Sequence, residues 1–570
     1  MTDKKYDVLI IGAGVTGALC AWKLGHAGLK VLILEVADQP TDMTQREEFR
    51  EVMTPNINRG DMHAPYLALA SRRYAPSPEA AGRPEEKHYD LAGPEMFKAQ
   101  YIRLVGGTTW AFRGNTPRFV PNDFKLKTEY GIGEDWPINY QDLEPWYVEA
   151  EKQLGVAGNH EEWNGLLGGY RSKPFPMDPI PLSYGDKLIK KKLDGKEMYG
   201  KKIRVVSTPQ ARATRSYRPV DESGIPYKEF DDRHVCEGNS NCIPLCPSGA
   251  KYDGGIHVRA AIRTGNVDLK WACIVTQIIT DDKGRVTEVR YKNWRNKDIN
   301  QEHKAKAKAI ILAANAIESP RLLLMSNLAN SSGQVGRNLM DHLQDEMTAF
   351  FPEELYPFRG PQSTCSIEVF RDGPFRKQHS AIRMTVGNDG HGRARSPLDV
   401  MDENLGKGIF GEELYKTLAK DIPRMFRISF STEVPPNPNN RVTLSTKVDG
   451  YGLPRPLIYF AVDSYTYNAL KKGHEIALSL IEGIPGIDKT KIKEREWSPK
   501  WGTAAHIMGT CRMGDDPSTS VVNTNGQTHD HPNLYIVGSS IFTTSGTANP
   551  TLTASALALK TADAVYHRYS

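Results

Sequence analysis

The chain is 570 residues long, 39% hydrophobic and 25% charged, a globular composition that is neither collagen-like nor disordered. That length exceeds one small domain. Lys+Arg 73 against Asp+Glu 68 leaves a formal charge of +5, and no basic block with interleaved aromatics marks nucleic acid as a partner.

No run approaches about 18 uninterrupted apolar residues, so no segment is expected to cross a membrane alone. The first residues enter a strand at once and leave no room for a signal peptide. The seven cysteines do not form a disulfide framework in a chain this long. Cys20, Cys273, Cys365 and Cys511 are scattered and read as buried thiols.

Tyr6 to Ile11 is a short apolar run, expected as a buried parallel strand. Residues 15–27 show helical spacing, with Leu19, Trp22 and Ala27 among the apolar positions. Residues 30–34 form a second apolar strand ending at Glu35, and the three segments predict a βαβ unit. Residues 267–293 alternate like antiparallel strands, with Asp282-Lys283-Gly284 as the turn. Residues 309–315 predict another buried strand, after which Ser319-Pro320 opens a short helix. Residues 441–446 and 457–462 predict strands of a different sheet. Asp463-Ser464 caps a helix running to about Gly483, with Leu470, Ala477, Leu480 and Ile481 on one stripe. The last helix starts near Pro550 and carries Leu552, Ala556, Leu559 and Val565.

Gly12-Ala13-Gly14-Val15-Thr16-Gly17 is a G-x-G-x-x-G between the first strand and its helix. Gly12 permits the tight turn, Gly14 lets a pyrophosphate approach, and Gly17 lets helix and strand pack closely. The helix N-terminus offers free N–H groups to phosphate. Glu35 is placed to bind a ribose diol and to repel a 2′-phosphate. The motif alone does not separate FAD from NAD, but an N-terminal position without a second fingerprint favours FAD.

Cys236-x5-Cys242-x3-Cys246-Pro247 is compact, polar and glycine-bearing. One loop of that spacing can wrap an iron–sulfur cluster, and three thiolates suit 3Fe–4S. The rival reading is zinc, with His234 as a fourth ligand. No Cys-x-x-Cys-His occurs, so covalent c-type haem is not expected in this chain.

Four further segments carry a family resemblance. Arg103-Leu104-Val105-Gly106-Gly107-Thr108-Thr109-Trp110 resembles the second FAD-contacting loop of the glucose–methanol–choline (GMC) oxidoreductases. Residues 313–320 resemble their second signature, 335–342 another family segment, and the stretch from His506 onward their catalytic end. The resemblance implies an α/β fold, in which a Rossmann-like FAD-binding domain is interleaved with an α+β substrate-binding domain on an antiparallel sheet. The first is expected over 1–155, 230–345 and 500–570, with the cysteine loop at 234–253. The second is expected over 156–229 and 346–499.

The branch it most resembles is the bacterial dehydrogenases of glucose, fructose, sorbitol or gluconate, which share the cysteine spacing. For these the resemblance implies a 3Fe–4S cluster on Cys236, Cys242 and Cys246. It also implies a multihaem cytochrome c subunit and a small chaperone-like subunit with a twin-arginine signal, at the periplasmic face of the inner membrane. The expected substrate is a small polyhydroxylated molecule. Trp110 follows Thr109 where some relatives attach FAD through a His, so non-covalent FAD is expected. Implied FAD contacts are Gly12, Gly14, Gly17, Glu35, Arg103, Gly106, Gly107, Thr108, Thr109, Val275, Gly538, Ser539, Pro550 and Thr551.

Oxidising an alcohol requires a base for the hydroxyl proton and a hydride acceptor, flavin N5. The resemblance makes His506 the base and Asn549 its partner, at the N-cap of the last helix. His342, His529 and His531 read as structural, and Thr510, Cys511 and Arg512 have no assigned role. An oxygen-using oxidase, or a redox or zinc-binding protein without turnover, are the alternatives.

Overall fold

The computed structural model describes residues 5–37, 89–238, 242, 246–295, 301–391, 397–494 and 501–570. The expected cysteine loop therefore lies partly outside the described residues, at 239–241 and 243–245.

In chain order, β1 (Tyr6–Ile11), α1 (Val15–His26) and β2 (Val31–Leu34) form the opening unit. β3 (Val267–Lys270) precedes a hairpin of β4 (Cys273–Thr280) and β5 (Val286–Asn293), followed by β6 (Ala307–Leu312) and α2 (Asn315–Ser326). Then come β7 (Leu343–Phe350), β8 (Cys365–Ile367), β9 (Ile382–Val386) and β10 (Met425–Thr432). β11 (Arg441–Val448), β12 (Pro454–Tyr459), α3 (Ser464–Glu482), β13 (Leu534–Ile536) and α4 (Thr551–Tyr569) complete the set.

A five-stranded parallel sheet runs β13-β6-β1-β2-β3. Its central strand is buried from Val8 to Ile11, as the continuous apolar run requires. α1 packs on α4 and against the sheet. Gly12 turns at φ +103°, and a Cβ there would meet the Ala313 carbonyl at 2.7 Å. A Cβ on Gly17 would collide with the Gly12 carbonyl, so both glycines are obligatory packing positions.

A second, seven-stranded sheet is antiparallel. β7, β10, β9 and β8 lie side by side in it, and Val205–Ser207 closes one edge. Strand alternation divides its faces. Phe426, Ile428 and Phe430 of β10 and Ile382, Met384 and Val386 of β9 enter one apolar core, shared with Ala469, Ala477 and Leu480 of α3. The intervening residues Arg427, Ser429, Ser431, Arg383 and Thr385 line the opposite face.

Several expectations shift. β3 pairs in parallel with β2, so the antiparallel stretch begins only at Cys273. Ala27 is exposed beyond the end of α1. The helix expected to open at Ser319-Pro320 already starts at Asn315. There the Asn315 Oδ1 accepts from Ile317 N at 2.8 Å and Glu318 N at 3.1 Å, as a cap does. Pro320 then lies inside the helix and has no N–H to return to the Ala316 carbonyl. Thr510 Oγ1 donates to that carbonyl at 2.7 Å. α4 begins one residue later than expected, and Pro550 itself occupies the cap position. Asn549 does not cap α4, because its side chain is engaged elsewhere.

Thr510 is fully buried. Thr510→Val is expected to leave the Ala316 carbonyl unpaired and to cost about 1–3 kcal/mol. Chemical unfolding of the variant should show a lowered midpoint; an unchanged midpoint would contradict this role.

Candidate active site

A cavity of about 710 Å³ opens where the C-terminal ends of the parallel strands face the polar side of the antiparallel sheet. Its volume falls in the ordinary range of ligand pockets, roughly 300–1,000 Å³. The ends of β1, β2 and β6 reach it through Ile11, Leu34 and Ala313, the position where open α/β sheets bind ligands.

At the dinucleotide end, Gly14 precedes α1 with no side chain capping the helix, and a Cβ there would meet nothing within 4 Å. The first N–H groups of α1 thus face open space, a cradle suited to phosphate. Gly106 N donates to the Ala13 carbonyl at 2.7 Å, clipping the 103–110 loop to the turn. Thr109 Oγ1 donates to the Gly106 carbonyl and accepts from Gly254 N. Glu35 accepts from Ala13 N at 2.6 Å and Ala37 N at 2.9 Å, and burial raises its pKa. Arg103 is paired to Glu318 at 2.5 Å. A glycine turn at a helix N-terminus and a carboxylate at the end of the next strand are the chemistry of a dinucleotide site.

At the other end stand His506 and Asn549. The side-chain amide can be oriented from its partners. Arg383 Nη1, which can only donate, lies 3.1 Å from Asn549 Oδ1. Asn549 Nδ2 therefore faces His506 Nε2 at 3.0 Å and donates to it. An Nε2 that accepts carries a lone pair, so neutral His506 holds its proton on Nδ1. His506 Nδ1 donates to His342 Nδ1 at 2.8 Å. His342 then has its proton on Nε2 and donates to the Ser545 carbonyl at 3.2 Å. One consistent line of donors fixes both tautomers.

The electrostatics keep this pair neutral. Burial drives the His506 pKa well down, and His342 and Arg383 push it further. Burial takes His342 down to about 4. Asp341 is fully buried, and its Oδ1 accepts from His342 N at 2.6 Å and His506 N at 2.9 Å. Burial raises that carboxyl to about 7 despite these bonds. A neutral imidazole with a lone pair on Nε2 can accept a proton, and burial makes it a weaker acceptor than a free histidine.

Fourteen expected residues line this one cavity: Gly12, Gly14, Glu35, Arg103, Gly107, Thr108, Thr109, Val275, His506, Gly538, Ser539, Asn549, Pro550 and Thr551. Gly17 and Gly106 sit behind its wall, and the three cysteines lie outside it. His342, expected as a structural residue, is buried and bridges His506 to the Ser545 carbonyl. Arg383, Thr385, Arg427, Ser429 and Ser431 escaped the sequence reading. Their signal was the polar–apolar alternation of 426–431 and of 382–386.

Two family models described as GMC oxidoreductase match residues 183–344 and 436–558, and a NAD(P)-binding Rossmann-like domain model matches 10–64. The fructose dehydrogenase large subunit of Gluconobacter japonicus is 33% identical, across 98% of this chain and 97% of its own. A 2-methyl-1,2-propanediol dehydrogenase of Mycolicibacterium austroafricanum is 28% identical, across 99% and 96%. The solved formate oxidase of Aspergillus oryzae shares the fold at a TM-score of 0.63 with 14% identity, covering 100% of this chain and 99% of that one. With the cavity described above, these matches establish the chain as a member of the GMC oxidoreductases, FAD-dependent enzymes acting on CH–OH groups.

Proposed function

We propose that the chain is a dehydrogenase of a sugar, polyol or sugar acid, with His506 as base. The observation that carries this reading is the neutral, acceptor-facing Nε2 of His506 opposite a wall of hydroxyls and ion pairs. Thr385 Oγ1 and Ser429 Oγ lie 2.7 Å apart on that wall, and Arg427 pairs there with Glu346 and Asp389. A hydrophilic wall is costly to build and suits a substrate that brings its own hydroxyls. Fructose and 2-methyl-1,2-propanediol, named for the two relatives, are such molecules.

Bound FAD would supply the hydride acceptor. The first turn of α1 would hold its pyrophosphate, and Glu35, with backbone N–H groups already on its carboxylate, keeps acceptor capacity for one ribose hydroxyl. Gly538 and Ser539 would meet the flavin end, with Pro550 and Thr551 at the start of α4. Trp110 Nε1 is tied to the Val105 carbonyl at 2.8 Å, in keeping with non-covalent attachment. The substrate hydroxyl takes the place of the Asn549 donor at His506 Nε2 and loses its proton there. Asn549 Nδ2 then holds the same oxygen. Burial disfavours charged His506, so the base returns its proton readily.

The electron exit is the second part of the proposal. Cys242 and Cys246 are buried and Cys236 is half-buried. Arg212 acts electrostatically on Cys236, and Lys251 on Cys242 and Cys246. Burial raises the Cys236 pKa and draws Lys251 down to about 7, and the nearby cations offset the burial only in part. Lys251 Nζ also donates to the carbonyls of Trp110 and Phe112 at 2.6 Å, tying the cysteine side to the flavin loop. His234, the fourth ligand of the zinc alternative, is exposed. Among the described residues no group of three His, Cys, Asp or Glu is arranged to hold a metal ion. The 3Fe–4S assignment thus rests on cysteine spacing. By the same reading the partners are a multihaem cytochrome c subunit and a small chaperone-like subunit with a twin-arginine signal, at the periplasmic face of the inner membrane. No helix among the described residues is long and apolar enough to cross a membrane.

Anaerobic flavin bleaching by glucose, fructose, sorbitol or gluconate is the direct test, with peroxide yield measured in air. Bleaching by none of them would refute the substrate class, and stoichiometric peroxide would favour an oxidase. His506→Ala should retain FAD but slow bleaching by at least about 100-fold; a rate near wild type removes His506 as base. Because His506 is held neutral, the acid limb of that rate should lie below pH 6.5, and a limb above it would contradict the assignment. Cys242→Ser should leave bleaching intact and abolish one-electron reduction of cytochrome c. Undiminished cytochrome reduction would dismiss the relay.

A further inference from the structure

The polar face of the antiparallel sheet carries three side chains in one cross-strand row. Gln344 of β7 pairs with Ser431 of β10, which pairs in turn with Arg383 of β9. All three line the cavity with His506 and Asn549. Arg383 is only 3% exposed. Its Nε donates to Glu368 Oε1 at 2.9 Å and its Nη1 to Asn549 Oδ1 at 3.1 Å. Arg371 donates to the other Glu368 oxygen at 3.0 Å, which fixes the fork from behind.

The remaining nitrogen, Arg383 Nη2, is buried without a hydrogen-bond partner. An unpaired donor of that kind is expensive and uncommon in a folded protein. Holding Asn549 needs one donor, which a neutral amide or hydroxyl would supply without burying a charge. A planar guanidinium brings a second, parallel donor. His506 and Arg383 grip opposite polar atoms of the same amide, so the unpaired donor lies one amide away from the reacting hydroxyl, buried until the guanidinium turns toward the cavity that Arg383 lines.

We infer that Arg383 is a substrate anchor, its Nη2 donating to a second oxygen on a carbon close to the reacting carbinol. The anchor selects oxygenated alcohols over simple ones, with Ser431 and Gln344 beside it in the row. This rests on the alcohol oxidation proposed above. The second oxygen belongs to a hydroxyl or to a carboxylate, and both accept from the same nitrogen.

The test uses the FAD-loaded enzyme and its Arg383→Met and Arg383→Lys variants in anaerobic stopped flow. Substrates are sorbitol, gluconate, 1,2-propanediol and 1-propanol, the last read as substrate or as competitive inhibitor. Arg383→Met should weaken the diol by roughly 30-fold more than the mono-alcohol, chiefly in KM, as loss of one charged hydrogen bond does. Arg383→Lys should recover part of the difference. A larger loss for gluconate than for sorbitol identifies a carboxylate, and equal losses identify a hydroxyl. Equal factors for diol and mono-alcohol in both variants would overturn the anchor and leave Arg383 as a support of Asn549. Loss of FAD absorbance in both variants would overturn it too, placing Nη2 against the cofactor. A wild-type flavin that no alcohol bleaches refutes the underlying reading, and the anchor with it.

Discussion

The hydrogen bond from Arg383 to Asn549 Oδ1 sets the direction of everything beside it. It decides which end of the amide meets His506, and so which imidazole nitrogen is free to accept a proton. His342 and the Ser545 carbonyl complete the same line from the other side. A reversed amide would place an acceptor against Nε2 and favour a proton there. Nε2 would then carry a proton and could not serve in the proposed proton removal.

That line stands on buried charge. Arg383, Arg371 and Glu368 are each nearly inaccessible. Burial raises the Glu368 pKa, but Arg383 and Arg371 outweigh it and hold the carboxylate ionised. Arg376, Asp123 and Glu433 continue the network toward the loop before α4. Buried ion pairs contribute little net stability, since desolvation offsets their attraction, but losing one partner strands the other. Their use here is positional: they join β9 of the antiparallel sheet to Asn549 at the head of α4.

Sequence and structure agree best where one local rule suffices. The G-x-G-x-x-G needed only a strand before it and a helix after it, and β1, α1 and β2 supply both. The Asp463 cap was equally local, and its Oδ1 accepts from Thr466 N at 2.7 Å. His506 and Asn549 were singled out through family resemblance, and their side chains meet at 3.0 Å. His342, adjacent to Asp341 in a segment far from residue 506, could not be joined to the base without the fold. β3 was misassigned because Val267-Asp268-Leu269-Lys270 alternates apolar and polar residues as an antiparallel strand does, whereas it pairs in parallel at the edge of its sheet. The start of α2 was misread because Pro320 looked like a first-turn proline, whereas Asn315 makes the cap and Thr510 repairs the gap. Arg383 lay in a segment whose alternation was short, and nothing local tells which face of a strand meets a cavity.

Nitrogen-15 NMR of histidine-labelled protein reads the central claim directly, because it reports which ring nitrogens carry protons. At pH 7 a neutral His506 protonated on Nδ1 and a neutral His342 protonated on Nε2 are expected. A cationic His506, or a neutral one protonated on Nε2, would contradict it.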